Sequence, residues 1–138
     1  MTQNIARKQH YVRVVSQRRR MDCGIAVLAM LLGKPYGDIS AVARQLKPKY
    51  ASEGMLVSDL QEIATFFNVH LKRVYRKKDY LQGATGILGV LGDTMIGGGH
   101  FVILKAGVIV DPHGAEVWAV DTYLAKHRAR PCTLLVVR

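Results

Sequence analysis

The chain has 138 residues with 20 Lys and Arg against 10 Asp and Glu, a formal net charge of +10, and two cysteines. That length suits one domain burying about two thirds of its unfolded surface, and the apolar and charged fractions are ordinary for a globular protein. Two cysteines exclude a disulfide framework, and no apolar run approaches the roughly 20 residues of a bilayer span.

In chain order, residues 1–10 read as a polar, basic arm with no apolar stretch of the signal-peptide kind behind it. With free thiols this gives a cytoplasmic expectation, and residues 11–138 form the expected single domain. Tyr11 to Val15 suggests a short extended segment that leads into Gln17-Arg18-Arg19-Arg20. From Ile25 to Leu32 every residue is apolar, so a helix here has no face for water and belongs inside the domain. Gly33-Lys34-Pro35 stops it. Asp22-Cys23-Gly24 stands at its head, where unpaired N–H groups and the positive end of the helix dipole favour a negative charge such as a thiolate.

Asp38 or Ser40 caps a second expected helix, with Ile39, Val42, Ala43 and Leu46 on one stripe and Lys47-Pro48 at its end. After a loop containing Glu53-Gly54, Ser58-Asp59-Leu60-Gln61 fits a capping box. It precedes a third stripe of Leu60, Ile63, Ala64 and Phe67, closed by Asn68. From Val69 the rhythm approaches two. A strand over Val69–Val74 is followed by short apolar runs at Gly86–Leu91, Phe101–Lys105, Val108–Asp111, Val117–Val120 and Thr133–Val137. Ala106-Gly107 reads as a hairpin turn, and Asp121 as the cap of one helical turn through Leu124. Helices first and strands afterwards define an α+β fold, with a helical N-terminal half on a C-terminal antiparallel sheet.

A cysteine nucleophile needs a base, a group to orient that base, and donors for an oxyanion. His100 follows Gly97-Gly98-Gly99 and opens the strand that ends at Lys105. A tight antiparallel hairpin brings the start of its first strand beside the end of its second, which sets Asp111 next to His100. Among the other histidines, His10 lies in the arm, His70 and His127 read as surface residues, and His113 lies near the expected site. Cys132 falls in a late strand and reads as structural. Cys23, His100, Asp111 and His113 lack the spacing of a metal site, so neither metal nor cofactor is expected. The basic clusters at Arg18–Arg20, Lys72-Arg73, Arg76–Lys78 and Lys126–Arg130 suit a solvated face or an acidic partner. They lack the interleaved aromatics of single-strand binders, which argues against nucleic acid.

Gln17, four residues, Asp22-Cys23-Gly24 and an Ala/Leu/Met-rich helix resemble the bacteriocin-processing (double-glycine) peptidase family of papain-like cysteine peptidases. The resemblance continues through Gly54–Leu60, His100–Ile103 and the Asp111-Pro112…Gly114 turn. It implies a papain-like fold and a triad of Cys23, His100 and Asp111. The Gln17 amide and the Cys23 backbone N–H would form the oxyanion hole. Its substrate would be a peptide or protein, cut at glycine-rich sites. Members of that family trim leader peptides at the N-terminal end of exporters. No transmembrane region or ATPase segment follows here, so the expectation is a stand-alone peptidase. The alternatives are a peptide-binding module without catalysis, against which the presence of Cys23 counts, and a basic nucleic-acid-binding protein, which rests on charge alone.

Overall fold

The computed structural model describes residues 22–74, 83–92 and 99–137. The arm, the Tyr11–Val15 segment, Gln17, Arg18–Arg20, Arg76–Lys78 and Gly97-Gly98 lie outside these residues. Helix α1 spans Cys23–Leu32, and Gly24 through Met30 are buried along it, as its unbroken apolar run requires. Gly33 ends it in the left-handed conformation (φ 65°), its N–H returning to the Ala29 carbonyl.

Helix α2 (Tyr36–Leu46) buries Ile39, Val42 and Ala43, the expected stripe. It starts two residues before Asp38, because Pro35 supplies an extended N-cap ahead of the first turn. A short helix α3 (Tyr50–Glu53) occupies the expected loop. Helix α4 (Val57–Phe66) begins earlier than Ser58 would set it. The Asp59 carboxylate accepts the Leu56 N–H at 2.8 Å and pairs with Lys47 Nζ at 2.8 Å, so Asp59 rather than Ser58 does the capping.

Strands β1 (Leu71–Val74), β2 (Thr85–Gly92), β3 (Gly99–Lys105), β4 (Val108–Asp111), β5 (Glu116–Ala119) and β6 (Ala129–Val137) form one sheet in the order β1-β6-β2-β3-β4-β5. Every neighbouring pair is antiparallel. Helix α5 (Val120–His127) lies between β5 and β6 and runs a turn beyond the expected Leu124. Strand β6 begins four residues before Thr133. In its pairing Gly89 faces Thr133 and Val90 faces Pro131, which leaves Cys132 as the extra residue of a bulge. Proline is tolerated there because the ladder is already interrupted.

Alternation along the strands divides the core. Ile87, Ile103, Val110, Val117 and Leu135 pack with α1, α2 and α4 on one face. Leu88, Val90, Val102, Leu104, Ile109 and Leu134 pack with Val120 and Tyr123 of α5 on the other. The sheet is therefore buried on both sides, and its strands read as continuous apolar runs rather than clean alternation. No described helix is long and apolar enough to cross a membrane.

Strands β2 and β6 approach so closely that a Cβ on Gly86 would sit 2.0 Å from the Leu135 carbonyl oxygen, a backbone atom with no room to yield. Gly86→Ala is expected to destabilise the fold by about 3 kcal/mol. Urea unfolding checks this, and an unchanged midpoint would contradict the close approach.

Candidate active site

The site is assembled at one end of the sheet from elements on both of its faces. Asp22 is the N-cap of α1, its carbonyl accepting the N–H groups of Ile25 (3.0 Å) and Ala26 (3.3 Å). Cys23 is therefore the first helical residue, and its own N–H belongs to the first-turn donors that have no partner within the helix. The Asp22 side chain is fully buried and accepts a hydrogen bond from the Tyr36 hydroxyl, which ties the head of α1 to α2. Gly24 fits a tight seat: a Cβ there would meet Leu60 Cδ2 and Met55 Sδ, each at 3.0 Å. The Cys23 thiol is half-buried, and the residues on either side of it in the chain are both packed in place.

The β3–β4 hairpin supplies the next two groups. Its register pairs Ile103 with Val110 and Lys105 with Val108, across the Ala106-Gly107 turn. Continued outward, that register sets His100 and Asp111 on one diagonal, a spacing that long side chains bridge. His100 Nε2 lies 2.7 Å from Asp111 Oδ1. With that nitrogen engaged, Nδ1 is the one left to face Cys23, whose side chain acts on the ring and favours its charged form. The thiol comes from the helix on one face of the sheet and the carboxylate from the other face. The imidazole joins them at the strand end.

Asp111 accepts two further hydrogen bonds. The His113 backbone N–H reaches Oδ1 at 2.8 Å, and the Tyr123 hydroxyl reaches Oδ2 at 2.7 Å. Burial works against charge on Asp111, but His100 first, then Tyr123 and the His113 N–H, hold its carboxyl below the ordinary carboxylate range. Burial likewise works against an imidazolium, yet the hydrogen bonds to Asp111 and Cys23 outweigh it and raise His100 to about 9. The ring therefore carries its proton at neutral pH. Desolvation and the adjacent Asp111 push the Tyr123 phenol far above its usual range, so it remains an O–H donor.

Of the expected site residues, Cys23, His100 and Asp111 come together, while Gln17 lies outside the described residues. His113 contributes its backbone, its side chain being exposed. One expectation needs correction. His127 is not a plain surface residue, because its ring packs on Tyr123 with centroids 4.5 Å apart. Cys132 lies in the late strand expected of it, exposed on the β6 bulge. Desolvation still raises its thiol pKa, against the opposing pull of Arg73 and Arg130. Tyr123 and Tyr36 escaped the sequence analysis; each has the look of an ordinary core aromatic, and only the fold reveals the buried carboxylate it serves. Among the described residues no group of three or more His, Cys, Asp or Glu side chains could hold a metal ion.

A buried helix headed by a thiol, packed on an antiparallel sheet that presents an imidazole and a carboxylate, defines a papain-like cysteine peptidase. The chain belongs to the peptidase C39 family, whose sequence pattern matches residues 11–122. No curated protein sequence matches it. Among solved structures, the chain is similar to a double glycine motif protease from an AMS/PCAT transporter, crystallised in complex with the leader peptide. The two are 20% identical with a TM-score of 0.64, covering 91% of this chain and 90% of that one. It is also similar to the peptidase domain of Streptococcus ComA, a bifunctional ABC transporter involved in a quorum-sensing pathway. There the identity is 14% and the TM-score 0.66, with coverage of 94% and 100%. The corresponding domain of Streptococcus mutans ComA is 16% identical with a TM-score of 0.62, covering 91% of this chain and 98% of that one. At these identities the likeness is one of fold.

Removing the carboxylate at the centre of this network leaves three donors without their acceptor. Asp111→Ala is expected to destabilise the protein by about 3 kcal/mol in urea unfolding. His100, followed by NMR, should then titrate below the value of about 9 that Asp111 helps to maintain. An unchanged His100 titration would show that the pair is not formed in solution.

Proposed function

We propose that the chain hydrolyses peptide bonds through a triad of Cys23, His100 and Asp111, with the Gln17 side-chain amide and the Cys23 backbone N–H stabilising the oxyanion, at glycine-rich sites. The observation that carries this proposal is the imidazole held between a carboxylate at 2.7 Å and the thiol at the head of α1. The leader peptide bound to the similar double glycine motif protease supports an extended peptide as substrate. For Gln17 the support is its place ahead of Asp22-Cys23, with four residues between.

In the first step the Cys23 sulfur attacks the scissile carbonyl carbon. A C–S bond forms, and the carbonyl electron pair moves to oxygen, where the two N–H donors receive it. Collapse of this intermediate breaks the C–N bond as His100 Nδ1–H gives its proton to the departing amine. Water then attacks the thioester and passes a proton to Nδ1. The C–S bond breaks, releasing a carboxylic acid product and restoring the thiolate–imidazolium pair. Throughout, Asp111 accepts the Nε2–H bond, which fixes the ring and stabilises its positive form.

Iodoacetamide at near-neutral pH is expected to label Cys23 faster than Cys132, and His100→Ala should slow that labelling. Equal rates at the two thiols, or no effect of His100→Ala, would sink the triad. With peptides carrying a Gly-Gly site, Cys23→Ala and His100→Ala should each lower hydrolysis by at least about 1000-fold. Gln17→Ala should lower kcat by about 100- to 1000-fold while leaving alkylation of Cys23 intact.

The two reactions should separate at alkaline pH. The sign follows from His100, whose raised pKa keeps it protonated up to about 9. Hydrolysis should fall as pH rises through that value, because the leaving amine loses its proton donor. Alkylation requires only the thiolate and should not fall over the same interval. A parallel fall of both rates would contradict the role given to His100.

A further inference from the structure

Tyr123 is fully buried on α5, and its hydroxyl meets the Asp111 oxygen that faces away from His100. Asp111 Oδ1 already accepts from His100 Nε2 and the His113 N–H, so Oδ2 is the atom about which the carboxylate could otherwise turn. Helix α5 is itself fastened to the hairpin that carries both residues: the Val120 N–H donates to the Gly107 carbonyl at 2.9 Å. Behind Tyr123 the His127 ring closes the contact. Donor, carboxylate and imidazole therefore belong to one clamped unit of β3, β4 and α5.

We infer that Tyr123 is a positioning residue of the peptidase, donating to Asp111 Oδ2 so that Oδ1 stays aimed at His100 and the imidazole stays aimed at Cys23. It touches neither substrate nor the reacting atoms and acts through Asp111 alone. The inference rests on the triad proposed above. A core tyrosine that merely filled space would be replaceable by phenylalanine with no effect on the charge state of Asp111. A donor to the carboxylate would not, because its removal withdraws one of the bonds that favour the ionised form.

The groups that bear on this carboxylate come from every element around it. His100 stands on β3, with Cys23 of α1 acting on the His100 ring, while His113 follows β4 in the turn. Glu116 lies opposite Asp111 across the β4–β5 ladder, and it accepts from Trp118 Nε1 at 2.8 Å and pairs with Lys126 Nζ at 3.6 Å. Tyr123 and His127 complete the set from α5. Of these, the Tyr123 hydroxyl alone donates to Oδ2 among the described hydrogen bonds, so it can be removed without disturbing the His100 contact directly.

The test follows iodoacetamide alkylation of Cys23 across pH, together with NMR titration of the Asp111 carboxyl carbon, in the full chain. In Tyr123→Phe the Asp111 titration and the acid limb of alkylation should both move to higher pH by about one unit, since a hydrogen bond to a charged group is of that order. Placing 3-fluorotyrosine at position 123 makes the hydroxyl a stronger donor at almost unchanged volume, and both should then move to lower pH. The fluorinated protein also decides the matter if Tyr123→Phe does not fold. Opposite displacements are the expected result, and no displacement of the Asp111 titration in either protein overturns the inference. The failure of the triad is distinguishable: His100→Ala would then leave the alkylation rate of Cys23 unchanged, whatever Tyr123 does.

Discussion

The arrangement turns on one buried carboxylate. Asp111 ends β4 almost entirely out of water, where an unmatched charge would be intolerable, and it is met by three donors from three separate segments. Each donor constrains the others. His100 can reach Oδ1 only if the hairpin keeps its register, the His113 N–H only if the chain turns at Pro112, and Tyr123 only if α5 lies flat on the sheet. Satisfying this single group therefore fixes the geometry of the strand end against which α1 presents its thiol.

That strand end is also where a two-faced sheet becomes useful. Helices α1, α2 and α4 cover one side and α5 the other, so groups borne on opposite layers could not meet through the middle of the sheet. They meet around its margin, with an imidazole that reaches both. The thiol side is held as firmly as the carboxylate side, through the fully buried Asp22, the Tyr36 hydroxyl and the tight seat of Gly24. In a cysteine peptidase this rigidity has chemical value, since an imidazole that is to deliver a proton must already face the sulfur and the departing nitrogen.

Much of this was legible in the residues. The unbroken apolar run of Ile25–Leu32 could only be an interior helix, and Gly33-Lys34-Pro35 could only end it. The juxtaposition of His100 and Asp111 followed from counting outward from the Ala106-Gly107 turn. Other features depended on contacts that spacing does not encode. Asp59 displaced Ser58 as the cap because Lys47, twelve residues earlier, pairs with its buried carboxylate from the surface. The start of β6 was hidden by Arg130 and Pro131, whose composition argues against a strand until a bulge accommodates them. Tyr123 gave no signal, because a tyrosine on the inner stripe of a helix looks the same whether its hydroxyl meets a carboxylate or a carbonyl. The Gln17 expectation rests on sequence alone.

The ends of the strand order carry a consequence of their own. A sheet with open margins is a template on which further chains can lay themselves, and fibrous assembly begins there. Among the described residues both outermost strands, β1 and β5, are only four residues long. The first exposes Lys72 and Arg73, and the second stands beside Lys126, which sits over the Trp118 ring at 4.4 Å. Cations at both borders, on a molecule already carrying a large positive excess, make lateral accretion of like copies electrostatically unfavourable. The abundance of lysine and arginine thus gives this sheet a colloidal safeguard, whatever else the charge recognises.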